Sequence, residues 1–171
     1  MSDAASFMSL ATIHERLEAC FLIHQERLLF GNLQGACALF RDYRDLLLLH
    51  IAHEDEILMP VFARIGQLKR WPPELYRGEH QKLKGWLTRI ERGLIHLTDM
   101  DQVSGRDLIA QIDLEGGLKR LLEHHDERER QNFFPVLDQV TQDEERASLL
   151  ARCLGEWDRL HQTSGFWEAD A

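Results

Sequence analysis

Proline is scarce in this 171-residue chain, with four copies, and glycine contributes only eleven residues. So little backbone punctuation argues against a turn-rich β architecture. The three cysteines, Cys20, Cys37 and Cys153, are far apart and odd in number, which gives neither a disulfide framework nor a CxxC metal site. They read as small core residues of a protein kept in a reducing compartment. Basic residues are also in the minority. Against 29 Asp and Glu the chain has 20 Lys and Arg, and its net charge of -9 repels phosphate backbones, so no nucleic-acid partner is expected. No apolar run approaches the roughly 20 residues of a membrane-spanning helix. The opening stretch MSDAASFMSLATIHERLE lacks a basic start, an apolar run and a cleavage site, so a cytoplasmic location without membrane association is expected. There is no GxSxG elbow and no glycine-rich phosphate loop, and no nucleophile arrangement stands out.

What the chain has instead is helical periodicity. Over residues 6–30, Leu10, Ile13, Leu17, Phe21 and Leu28 recur at helical steps before Gly31-Asn32 ends the run. A second helix is expected over about 34–65, with Pro60 as a kink or late-turn irregularity and Gly66 as its close. Pro72-Pro73-Glu74 starts a third, over about 73–97, by supplying a fixed φ and an acid in the first turn. Ser104 caps a fourth, which carries Leu108, Ile112, Leu118, Leu121, Leu122, Phe133 and Val136 on its inner stripe. Thr141 with Glu144 reads as a capping box that opens a fifth, to about residue 163. The expected fold is all-α: a single domain over 1–171, with an antiparallel up-down-up-down four-helix bundle over about 6–140 and an additional C-terminal helix over about 141–163. That last helix packs either across the bundle or against a second subunit. Trp157, Phe166 and Trp167 are candidates for core or for the surface of a homodimer.

Two stretches place polar residues where a core should be. HIAHEDEILMP, residues 50–60, and HDERERQNFFP, residues 125–135, share one pattern of His, three residues, Glu, five residues, Pro. His50 and Glu54 lie on the stripe of Leu46, Leu47, Leu58 and Val61; His125 and Glu129 lie on that of Leu118, Leu121 and Phe133. Burying an uncompensated carboxylate costs several kcal/mol, and two such costs call for a shared compensation. A bound metal supplies it, since His and Glu one helical turn apart can face one ion. In antiparallel hairpins, residues equidistant from the turn lie level. His14 and His50 are 18 residues either side of position 32, and His80 and His125 are 22 and 23 either side of position 102. His24 is the rival to His14 on the first helix, about 15 Å along it. His53, His96, His124 and His161 fall off the stripes or off this depth and read as surface or internally satisfied histidines.

Taken together these residues resemble the hemerythrin-like HHE cation-binding domains. The resemblance rests on His14 followed by ERLE, the H-x-x-x-E-[DE]-x-x-L-x-P stretch from His50, Glu79-His80 with Leu83, and the second H-x-x-x-E before FFP, and it covers about residues 8–140. It implies a non-heme di-iron centre, with zinc or manganese as possible substitutes. One metal would take His14 and His50, the other His80 and His125, with Glu54 and Glu129 bridging. Oxygen-carrying members have a second histidine one turn after the third-helix histidine, where this chain has Lys84. Fewer protein ligands leave more room for water or a diatomic ligand, dioxygen or nitric oxide. Glu18, Tyr43 and Tyr76 are further candidates to approach the site.

The function expected is metal-ion binding coupled to dioxygen or nitric oxide binding, sensing or iron handling, with no dedicated organic substrate and more as a binding protein than as an enzyme. A di-iron oxidase or peroxidase is the alternative, although no histidine is preceded at three residues by the glutamate that ferritin-like enzymes use. A metal-free helical interaction module is the third reading.

Overall fold

Gly31 and the residues around it show how the first reversal is made. Helix α1 (Ala11–Leu29) follows a 3-10 turn, Phe7–Leu10, and ends where Gly31 takes φ +73. The Asn32 and Gly31 amides then donate to the carbonyls of Arg27 and Leu28, a glycine-dependent helix stop. The Asn32 side chain next accepts from the Gly35 amide and caps α2 (Leu33–Ala52). The computed structural model describes residues 5–66 and 70–166 in this way, helical throughout its ordered elements and without a strand among the described residues.

The second rod continues past Ala52 through a π-helical turn, His53–Leu58, a short α3 (Met59–Phe62) and a 3-10 turn, Ala63–Ile65. Gly66, at φ +79, closes it. Helix α4 (Pro73–Asp99) starts on its proline pair, and α5 (Gly105–Arg128) starts on a reciprocal capping box between Ser104 and Asp107. A second π turn, Glu129–Phe133, leads into α6 (Phe134–Val140). Thus both expected long helices contain one widened turn just before their proline. In each, the carbonyl of the first acidic residue accepts from the amide five positions on: Glu54 from Met59, and Glu129 from Phe134. Pro60 and Pro135 follow at once, lacking an amide and crowding the carbonyl four residues back.

Thr141 does not cap the last helix, contrary to the sequence-based expectation. Its hydroxyl donates backwards to the Leu137 carbonyl at 2.7 Å and so finishes α6. Helix α7 (Asp143–Gln162) begins one residue later from Gln142, with no side-chain cap. Its first-turn acids Asp143, Glu144 and Glu145 complement the helix dipole. Arg146 binds the carbonyls of Asp138 and Thr141, tying the two ends together.

Side-chain contacts tie each rod to its neighbours. His24 meets Ala36 near the first turn while His14 meets His50 farther out. Gln111 meets Ile90, and His125 meets His80, along the α4 and α5 pair. Arg44 meets Glu91 between α2 and α4, and Asp55, in the π turn beyond α2, meets His80. Helix α7 packs on α2 and the N-terminal turn. Trp157 and Phe166 are fully buried, so both belong to the core, whereas Trp167 lies outside the described residues. Cys20 and Cys153 are buried and Cys37 is half-buried. No described helix is long and apolar enough to cross a membrane.

Candidate metal centre

Helix α2 buries Leu46, Leu47 and Ile51 on the same face as His50, and the π turn that follows keeps Glu54 on that face. Helix α5 and its π turn do the same for Leu118, His125 and Glu129. His80 arrives from α4 beside Tyr76 and Leu83, and His14 from α1 beside Ile13 and Leu17. All six side chains meet. His14, His50, Glu54 and Glu129 form one cluster, and Glu54, His80, His125 and Glu129 form another, each with its donor atoms within 4.8 Å of one another.

Each carboxylate spans both histidine pairs. Glu54 places Oε1 3.1 Å from His50 Nε2 and Oε2 3.1 Å from His80 Nε2. Glu129 places Oε2 3.1 Å from His14 Nε2 and Oε1 2.8 Å from His125 Nε2. The paired imidazoles are as close: His14 to His50 at 2.8 Å, and His80 to His125 at 3.2 Å. Donors about 2.1 Å from a shared cation stand roughly 3 to 3.4 Å from one another, close to the spacing found. Yet all four oxygens of Glu54 and Glu129 are buried without an aligned hydrogen-bond partner among the described residues. They lie near the imidazole nitrogens without facing them, as groups aimed at common points do. Buried anions in that condition are costly unless a cation completes them, so this donor set fits a metal pair.

Three acids hold the rings from behind. His14 Nδ1 bonds to Asp126, His80 Nδ1 to Asp55 at 2.7 Å, and His125 Nδ1 to Glu79 at 2.9 Å. Such contacts place the proton on Nδ1 and leave Nε2 facing the centre as a ligand nitrogen. Sequence reading did not identify these braces. Asp55 follows Glu54, Glu79 precedes His80 and Asp126 follows His125, and one residue is about 100° around a helix. Each acid therefore faces the next rod and supports a histidine there, from the π turn after α2 to α4, from α4 to α5 and from α5 to α1. The signal available was an acid directly beside each inward residue; its partner was not readable without the packing. Arg128 pairs with Glu79, and Arg130 with Asp126, on the outer side.

The electrostatics follow. Burial opposes charging His14, but Asp126, Glu129 and Glu54 outweigh it and lift its pKa to about 9. Burial likewise opposes the charged forms of His80 and His125, and the surrounding carboxylates raise both. Glu54 is pushed up by burial and pulled further down by His50, His125 and His80, well below the usual carboxylate range. The centre is built for charge.

Other candidates lie elsewhere. His24 is fully buried in a separate network: its Nδ1 meets the Ala36 carbonyl, and its Nε2 meets Glu115, which also accepts from Gln25 and Gln111. His53 is buried against Glu156, His161 stacks on Trp157, and His96 and His124 are exposed. Tyr76 packs edge-on to His125 with its hydroxyl near Arg128 and Asn132. Burial keeps Tyr43 a neutral phenol. Lys84 lies 3.8 Å from Asp55. Glu18 does not enter the clusters.

A cavity of about 400 Å³ reaches the centre from the side, floored by His14, His50 and His125. Exposed Glu15, Glu18 and Glu123 on its rim put the mouth between α1 and the rod of α5.

No curated protein and no solved structure matched the chain in comparisons with each. The family model described as "Hemerythrin HHE cation binding domain" matches residues 9–137, from the start of α1 into α6, and includes all six converging side chains. The chain therefore belongs to the hemerythrin HHE cation-binding domain family.

Proposed function

We propose that His14, His50, Glu54, His80, His125 and Glu129 hold two metal ions, iron in the native protein, with zinc or manganese able to take their place. The scaffold in this reading is an up-down-up-down bundle of four rods with α7 as an added helix, supported by the opposed contacts of each neighbouring pair. The observation that carries the proposal is the placement of Glu54 and Glu129: each offers one oxygen to each histidine pair, and all four oxygens lack another partner among the described residues. Mixed imidazole and carboxylate ligation suits iron. When bound, such a pair supplies one-electron redox chemistry and coordination positions for a diatomic gas.

The chain's own groups set the terms. Asp126, Asp55 and Glu79 engage Nδ1 of three histidines and aim their Nε2 inward. Lys84 stands where a fifth imidazole would be, so the four imidazoles and two carboxylates leave positions for an exogenous ligand. The function is therefore binding or sensing of dioxygen or nitric oxide, or iron handling. Anaerobic loading with ferrous iron followed by nitric oxide titration tests it. Saturable visible bands that are lost in His50→Ala support the reading; a spectrum equal to that of free iron with nitric oxide refutes it.

A further inference from the structure

A diatomic molecule needs a space of the order of one water, about 30 Å³ in the liquid. The cavity above His14, His50 and His125 is about 400 Å³, within the range of about 300 to 1,000 Å³ typical of small-molecule sites. Its walls are Leu17, Phe21, Tyr43, Leu47, Leu83 and Leu122, so the body of any occupant meets hydrocarbon and one phenol ring. Between the histidine floor and the charged rim the walls themselves carry no charge. At the rim Arg130 is engaged by Asp126 and Glu15, while Glu18, Lys119 and Glu123 stand around the opening. An occupant thus passes a mixed-charge ring that offers no net welcome to anions, and then loses water against apolar walls. At the floor it meets imidazoles from both histidine pairs.

We propose that this cavity binds a small, uncharged, predominantly apolar organic molecule, an arene or short alkyl compound with at most one polar group, seated directly beside the His14 and His50 pair. The cavity itself depends only on the packing of α1, α2, α4 and α5, whereas the occupant's nearness to a metal rests on the two-metal reading above. The site thereby goes beyond gas binding: it gives the centre an organic ligand to act on or to be blocked by.

The probe is 4-methylphenol, with 4-methylbenzoate as the charged counterpart. Saturation-transfer NMR on the metal-free protein reads occupancy of the cavity, and proton relaxation on protein loaded with Mn2+ reads distance to the metal. We expect a dissociation constant of about 1 mM or tighter for the phenol, weaker binding of the benzoate, and strong relaxation of the phenol by Mn2+. Leu122→Trp, which fills the cavity from its half-exposed wall, should weaken the phenol about tenfold or more. If that variant does not fold, Glu123→Trp at the exposed rim makes the same test. No saturation transfer at millimolar phenol, or unchanged binding in the folded variant, overturns the proposal. Phenol binding to protein that takes up no metal would retain the pocket and reject the metal reading; metal uptake without phenol binding would do the reverse.

Discussion

At His14 burial and three carboxylates pull in opposite directions, and the carboxylates win, holding the ring protonated up to about pH 9. An unfolded histidine titrates near 6.5. The raised folded value means that His14 stabilises the metal-free protein fully below about pH 6.5, and that this contribution is lost as pH rises through about 9. Metal binding runs the other way, because the cation must displace that proton. Denaturant midpoints of metal-free protein should therefore fall between pH 6.5 and 9 while zinc affinity rises over the same window. A flat affinity would show that His14 carries no proton to displace. The braces make a second residue-scale test. Asp126→Asn and Glu79→Gln keep the shape but remove the anion behind His14 and His125, and each should weaken metal binding by about 10- to 100-fold. Competition against a chelator measures it, and unchanged affinity would mean that the rings are held by packing alone.

Among the elements, α4 and α5 meet at Gly117, where an added Cβ would overlap the Trp86 ring. Gly117→Ala should cost about 1 to 3 kcal/mol by forcing the helices apart, read as a lower urea midpoint at unchanged slope. Because α5 carries His125 eight residues on, the same variant should bind metal less tightly; full stability would show that Trp86 can turn aside. The long helices were legible from the recurrence of apolar residues, and Gly31, Gly66 and Ser104 marked their ends because each has a local backbone reason to do so. Thr141 misled, since a hydroxyl at a junction can close the helix behind as readily as open the one ahead. The π turns were visible only as prolines. The extra residue they insert depends on what the rod must keep facing inward on both sides of Glu54 and Glu129.

For the whole molecule, the meeting of four histidines at one level could be read from equal distances to the turns, because hairpins of straight rods convert residue count into height, and the two glutamates follow one helical turn on. What lay behind them could not. Asp55, Glu79 and Asp126 act on neighbouring rods, the His24 and Glu115 network fills the far end, and the side cavity exists only where α1 and α5 fail to close. Helix α7 was the open question of the sequence, and it packs on α2 and the N-terminal turn, with Trp157 fully buried under the Arg16 guanidinium at 4.3 Å. Trp157→Ala should cost about 3 to 5 kcal/mol by denaturant titration, whereas a loss below about 1 kcal/mol would place α7 outside the cooperative core. The metal count bears most directly on the account as a whole. Protein stripped by chelator, reloaded anaerobically with ferrous iron, desalted and analysed for elements should hold close to two irons per chain, falling to one or none when Glu54 and Glu129 are both replaced by alanine. Wild-type protein that keeps its helicity and emerges from desalting without iron, or a double variant that holds as much as wild type, would contradict it.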